Sequence, residues 1–262
     1  PLGGTALIKL AFKQLLRWIY NSYDATLIHS QVTHQKLIEL GIKNTIYENL
    51  NGFDDSKFNP SLKQSGFFAQ TYNNPSLDEQ IKLIFLGRLT PDKGWGFTMK
   101  AFAEVSKKVD LSKVAILIAG DGEMREIIQQ TLEKYVPNLY MLGRVAPEKI
   151  PALLANCDVH VTTSEKENRA LTVIEALAVG VPVVAPRAGG VVQDVQPGVT
   201  GLLFEPQNIE DFAAKIKEIV YNQELRLTMG LKGREYISKY TWDNTITNLV
   251  KIWQQQIQLK SR

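Results

Sequence analysis

The sequence predicts a doubly wound, Rossmann-like α/β fold on a parallel sheet, and two observations carry that expectation. From about Ile81 onward, short β-branched runs alternate with amphipathic stretches, the pattern of parallel strands joined by crossover helices. The glycine-rich and charged motifs fall at the carboxyl ends of those runs, where ligands of open α/β sheets bind. The bulk numbers agree: 262 residues, 44% hydrophobic and 22% charged, are enough to bury a proper core.

In chain order, the first fifty residues read as an apolar helix (about 5 to 20), a strand "ATLIH", a helix "QVTHQKLIELG" and a strand "NTIYEN". This is too little for an independent domain, so 1–52 is expected to be the C-terminal remnant of an N-terminal α/β domain. The chain starts with Pro1 rather than methionine, which fits a missing beginning. Residues 53–80, polar with "NNP" and paired aromatics, read as a linker or long loop. The domain at 81–240 carries strands "IKLIFLG" (81–87), "VAILIAG" (114–120), "LYMLGRV" (139–145), "DVHVTTS" (158–164) and "VPVVAP" (181–186). Helices are expected near 95–108, 123–134, 148–155 and 171–179, and the chain is helical after Asn208. Residues 241–262 are read as a C-terminal helix returning towards the N-terminal domain.

Composition excludes some classes. A net charge of +3, with no basic tract interleaved with aromatics, argues against nucleic acid. The single cysteine, Cys157, excludes an internal disulfide and fits a reducing compartment. His29, His34 and His160 have no metal-ligand spacing, so no metal is expected. There is no recognisable signal peptide and no apolar run of the roughly 20 residues a bilayer span requires.

The motifs carry more. After Gly87, Arg88 and Lys93 sit in a Gly/Pro-containing loop where a guanidinium fork and an ammonium can converge on one anion. "AGDGEMRE" (119–126) begins like a dinucleotide fingerprint, but Arg125 stands where the third glycine belongs. A tight turn through Gly120 and Asp121 is the alternative there. In "SEKENRALTVIEALAVG", Glu167 precedes a helix whose free N–H groups around Ala170 to Thr172 favour a phosphate, and Glu175 lies about one turn inside it. The two glutamates can face one cavity at two depths and take hydroxyl groups at opposite ends of an elongated ligand. A glycoside-hydrolase pair is the competing use of two carboxylates, but a hydrolase has no use for a diphosphate cradle. Gly189 and Gly190 follow another strand, where backbone can approach a ligand closely.

Taken in order, "NGFDDSKFNP", "GRLTPDKG", "GDGEMRE", "LGRV", the Glu167-x7-Glu175 spacing, "EALAVGVPVVA" and "GGVVQDVQPGVTGLLFEP" resemble retaining glycosyltransferases of family four, from about Leu27 to Trp242. The resemblance implies a GT-B fold: an N-terminal acceptor domain, here largely missing, and a C-terminal domain that binds a nucleotide-sugar, with no metal or other cofactor in catalysis. It implies that Arg88 and Lys93 contact the donor diphosphate, that Glu167 lies near the sugar hydroxyls and reacting face, and that Glu175 holds the ribose. Arg88, Lys93 and Glu167 are thus the candidate catalytic residues. Gly87, Gly120, Asp121, Gly143, Arg144, Val145, Asn168, Arg169, Ala170, Leu171, Thr172 and Glu175 complete the candidate donor site, the segment "LGRV" (142–145) lying near the base. The chain departs from the family where an aromatic and then a glycine follow the first glutamate: Arg169 and Ala170 stand there, so that a cation and a methyl group are added near the donor. Gln193 stands where a carboxylate is usual.

The expected partners are a nucleotide-sugar, with UDP as the nucleotide, and an acceptor glycan or lipid. The resemblance to sulfoquinovosyl- and mannosyltransferase-type members points to a lipid. Lys9, Lys13 and Arg17 recur through an apolar helix in a pattern suited to an anionic membrane surface; packing against the rest of the N-terminal domain is the alternative. The expected location is the cytoplasm, free or peripheral to a membrane, or a plastid for a sulfolipid-type enzyme. The competing functions are a catalytically silent nucleotide-sugar-binding subunit or fragment, and a GT-B nucleotide-sugar epimerase.

Overall fold

The computed structural model describes residues 4–261. By internal contacts the chain divides into two units, Phe53–Thr241 and a smaller one made of the first 52 residues with Trp242 onward. In the smaller unit α1 (Gly4–Asn21), β1 (Ala25–Ile28), α2 (Gln31–Leu40) and β2 (Thr45–Glu48) form a two-stranded parallel sheet with its crossover helix. Ser30 caps α2 by accepting the Thr33 N–H, and Gly41, at φ 87°, ends it.

The larger unit begins before its first strand, in the segment read as a linker. α3 (Phe67–Tyr72) and α4 (Ser76–Glu79) lie there, and Phe67, Phe68 and Leu77 are buried in the core. The Asp78 carboxylate accepts the N–H groups of Phe68 and Ala69 at 3.1 and 2.8 Å, tying the two short helices together. The paired aromatics are therefore core residues.

Next come β3 (Ile81–Leu86), α5 (Trp95–Lys108), β4 (Val114–Ala119), α6 (Arg125–Leu132), β5 (Leu139–Gly143), α7 (Ile150–Ala155), β6 (Val159–Val161), α8 (Leu171–Ala178), β7 (Val183–Pro186), α9 (Val191–Asp194), β8 (Gly201–Phe204), α10 (Ile209–Tyr221) and α11 (Gln223–Ile237). The last helix, α12 (Trp242–Lys260), belongs to the smaller unit, where Thr245 Oγ1 donates to the Leu50 carbonyl at 3.0 Å and Asn248 Nδ2 to Asn49 Oδ1 at 3.0 Å.

The sheet is all parallel in the order β5-β4-β3-β6-β7-β8. The chain winds outward from β3 in one direction, then returns to place β6 on its other side, so the strand order reverses between β3 and β6. Both faces are covered, as a parallel sheet requires. On one face Leu83, Phe85, Ile116, Ile118 and Val184 pack with Phe102 of α5, Ile128 of α6 and Phe212 of α10. On the other, Ile84, Leu117, Val183 and Leu203 pack with Leu153 of α7, Ile174 and Leu177 of α8 and Ile237 of α11. The alternation along each strand follows the two-residue period of extended chain. β8 was not among the expected strands; it adds to the sheet edge through Val183–Gly201 and Pro186–Phe204 pairing.

Candidate functional site

Where the strand order reverses, the loops that follow neighbouring strands diverge and leave a crevice. In this chain the divergence of the β3–α5 and β6–α8 loops opens a cavity of about 300 Å³ lined by residues of both strand ends, from Phe85 to Arg88 and from Val161 to Thr163. Of the residues expected at a donor site, Gly87, Arg88, Lys93, Glu167, Arg169, Ala170, Leu171 and Thr172 line this cavity.

Gly94 holds the two loops in register. Its φ is 79°, and a Cβ there would lie 2.2 Å from the Thr163 carbonyl oxygen, so no side chain fits. Thr163 Oγ1 meets Thr98 Oγ1 at 2.7 Å, and Ser164 Oγ donates to the Asp92 carbonyl at 3.4 Å. Across this junction Lys93 Nζ donates to Glu167 Oε1 at 2.6 Å, with a quarter or less of either side chain exposed. Arg88 is more open: its side chain is 68% exposed and its Nη2 reaches Asp92 Oδ2 at 3.1 Å. Asp92 is held below the usual carboxylate range by the Thr90 hydroxyl and then by Arg88.

The cavity's third wall is the start of α8. No side chain caps this terminus, and Leu171 and Thr172 line the cavity, so the free N–H groups of the first turn are available to an anion. Thr172 is oriented from behind by His160, which is fully buried. The His160 Nδ1–H donates to the Ile84 carbonyl at 3.2 Å, so Nε2 is left to accept from the Thr172 hydroxyl at 3.2 Å. Burial pushes the imidazole down to about 4, which keeps it neutral.

Glu175 follows Leu171 by four residues and so lies on the same face of α8, one turn deeper. It is not on the cavity wall. Burial alone pushes its carboxyl up to about 7.

The other expected site residues are placed differently. Gly120, Asp121, Gly143, Arg144, Val145 and Asn168 do not line the cavity. The close approach at Gly120 is to backbone: a Cβ there would lie 1.8 Å from the Gly87 carbonyl oxygen, while Leu89 N–H donates to the Asp121 carbonyl at 2.9 Å and Gly120 N–H to the Gly143 carbonyl at 2.8 Å. These residues lace the ends of β3, β4 and β5 together. Gly189 and Gly190 likewise meet backbone of the Glu167 loop, with Gly190 N–H donating to the Glu167 carbonyl at 2.7 Å. Arg169 lines the cavity with its charge already engaged: its side chain is 2% exposed and paired with Asp194, at 1% exposure. Ala170, also on the cavity wall, is 5% exposed and joins the core cluster beneath α8.

Sequence reasoning missed Thr163, Thr98, Asp194 and the His160–Thr172 contact. Thr163 alone carried a signal, its place at the carboxyl end of a strand.

A doubly wound parallel sheet whose crevice at the point of strand reversal holds Arg88, Lys93 and an uncapped helix start has the architecture of the ligand-binding α/β proteins. The sequence profile of the glycosyl transferases group 1 family matches residues 70–236, more than half of the chain, and the chain belongs to that family. It is 29% identical over 240 residues to the sulfoquinovosyl transferase SQD2 of Arabidopsis thaliana, covering 90% of this chain and 45% of that protein. It is 26% identical over 208 residues to the GDP-mannose-dependent alpha-(1-6)-phosphatidylinositol monomannoside mannosyltransferase of Mycobacterium tuberculosis, covering 76% and 53% respectively. The chain thus spans about half the length of these relatives. Among solved structures, Anabaena HepE in complex with UDP superposes with a TM-score of 0.82 at 20% identity, over 93% of this chain and 67% of that one. The fold is of the GT-B type. No described helix is long and apolar enough to cross a membrane.

Proposed function

We propose that this chain is the nucleotide-sugar-binding part of a retaining glycosyltransferase, with UDP as the nucleotide of the donor. The observation that carries the reading is the convergence of Arg88, Lys93 and the α8 start on one cavity at the point of strand reversal. A nucleoside diphosphate has the charge and length to span it. Arg88 and Lys93 hold the diphosphate and, as the sugar departs, neutralise the charge developing on it. The N–H groups at Leu171 and Thr172 add fixed dipoles. Glu167 takes the sugar hydroxyls, its carboxylate held beside Lys93. Glu175, deeper on the same helix face, takes the ribose hydroxyls.

The acceptor in this proposal is a lipid. The name of the mycobacterial relative includes a phosphatidylinositol mannoside. In α1, Lys9, Lys13 and Arg17 are interspersed with exposed Ile8, Phe12 and Trp18, which suits peripheral contact with an anionic surface.

Titration calorimetry with UDP and GDP tests the donor reading. UDP is expected to bind, more tightly than GDP, and negligible binding of both rejects the reading.

A further inference from the structure

Arg169 and Asp194 form the most deeply buried ion pair among the described residues, Nη2 donating to Oδ1 at 3.0 Å. The guanidinium also lies 4.9 Å from the centre of the Tyr240 ring. Arg169 Nε and Nη1 and Asp194 Oδ2 are buried with no protein hydrogen-bond partner among the described residues. Burial drives the Asp194 carboxyl upward, and Arg169 pulls it back only in part.

A buried pair joined through one hydrogen bond is a poor source of stability, because desolvation of both charges offsets their attraction and apolar side chains of similar volume do as well or better. What such a pair supplies is a fixed relation between the two segments that carry it. Here one segment is the loop bearing Glu167, two residues before Arg169. The other is α9, which Asp194 closes.

Three further contacts mark the same junction. Gly190 N–H donates to the Glu167 carbonyl at 2.7 Å, and a Cβ on Gly190 would lie 1.7 Å from the Asn168 carbonyl oxygen. The Tyr236 hydroxyl of α11 donates to the Gln193 carbonyl at 2.8 Å, so α9 is itself held from behind. The ion pair adds a side-chain link between the β6–α8 loop and α9, just beyond the glycine contact towards α8.

We propose that Arg169 and Asp194 are positioning residues, whose ion pair pins the Glu167 loop onto α9 and so sets where the Glu167 carboxylate meets the sugar of a bound donor. The pinning stands on the geometry alone; the sugar rests on the donor reading above.

The test uses Arg169→Met and the paired Arg169→Met/Asp194→Leu. The single variant leaves a buried, unpaired carboxylate and is expected to be destabilised. The paired variant restores an apolar contact of similar volume and is expected to melt close to the wild type. In the paired variant, NMR-detected hydrogen exchange of the Gly190 amide, whose acceptor is the Glu167 carbonyl, is expected to rise tenfold or more without nucleotide present, while core amides of β3 and β4 stay unchanged. Unchanged Gly190 exchange would show that packing alone holds the loop, and would overturn the proposal.

Affinities for UDP and UDP-glucose supply the second readout. The paired variant is expected to keep its affinity for UDP within about twofold and to lose most of the additional affinity that glucose brings. A Glu167→Gln background is expected to abolish that difference between paired variant and wild type, because the pair acts through Glu167. Equal losses in both backgrounds would overturn the positioning role. A wild type that gains no affinity from glucose would overturn the link to the sugar, and one that binds no nucleotide would reject the donor reading, while the Gly190 exchange still decides the pinning.

Discussion

Glu175 offers a prediction whose size follows from its surroundings. Its carboxyl ordinarily titrates near 4.5 and burial in α8 raises it to about 7. Between those values the folded protein holds a proton that the unfolded chain releases, so stability falls as pH rises, by up to about 1.4 kcal/mol per pH unit. Over the whole interval the loss is about 3 kcal/mol at about 1.4 kcal/mol per tenfold change in proton affinity. His160 works in the opposite sense. Its folded value of about 4 lies below its ordinary 6.5, so the unfolded chain binds the extra proton and stability rises with pH over that range. Between about 4.5 and 6.5 the two slopes largely cancel, and the wild type should show a flat profile from this pair. Glu175→Gln removes one of them. Urea denaturation of the two proteins from pH 4.5 to 8 should give curves that meet at the acid end and diverge to about 3 kcal/mol in favour of the variant at the alkaline end. Parallel curves would refute the argument, since they would mean that the carboxyl is no harder to ionise in α8 than in water. If Glu175 also accepts ribose hydroxyls, UDP affinity of the wild type should increase from pH 5 to 7, and that increase should vanish in Glu175→Gln.

Other consequences are more direct. Lys93→Ala should weaken UDP binding by tenfold or more, because it removes a point charge from the cavity and leaves the Glu167 carboxylate facing the phosphates uncompensated; calorimetry reads this, and wild-type affinity would exclude Lys93 from the diphosphate site. In an intact enzyme, Arg88→Ala and Lys93→Ala should each lower the transfer rate heavily, and near-normal turnover would reject their assignment. Gly94→Ala should cost about 2 kcal/mol or more, combining a left-handed backbone with a contact of 2.2 Å to the Thr163 carbonyl oxygen; thermal melting measures it, and an unchanged midpoint would mean that the two loops are not in register as described.

The order of strands and helices was legible because the buried strands are short apolar runs, most of them closed by glycine or proline, and the crossover helices have an apolar face. Arg88, Lys93, Glu167, Leu171 and Thr172 were legible for the same reason: once the strands are placed, their carboxyl ends are placed too. Short elements were not. β8 is four residues and carries no period of its own, and α3 and α4 are six and four residues long in a segment whose Asn and Pro content reads as loop. Only the cores they enter show what Phe67, Phe68 and Leu203 do. Arg169 misled for a different reason. A charge in a loop beside a glutamate reads as facing solvent or ligand, and what reverses that is one carboxylate 25 positions away, Asp194, brought alongside by the return of the chain through β7.

The free cavity is close to charge-neutral, and this bears on how a dianionic ligand would enter it. Arg88 is paired with Asp92 and Lys93 with Glu167. The first pair is mostly exposed, and such pairs are worth about 0–1 kcal/mol, so Arg88 can turn towards a phosphate at little cost. The second is largely shielded, and its separation would leave a carboxylate beside the incoming charge. A donor that presents hydroxyl groups to Glu167 as its phosphates reach Lys93 satisfies both partners at once, whereas a bare diphosphate satisfies only the lysine. On the proposed donor reading, the Lys93–Glu167 pair should favour nucleotide-sugar over nucleotide. Glu167→Gln should narrow that preference from the nucleotide side, by strengthening UDP binding while weakening the contribution of the sugar. A Glu167→Gln variant that binds UDP more weakly than the wild type would contradict this account of the pair.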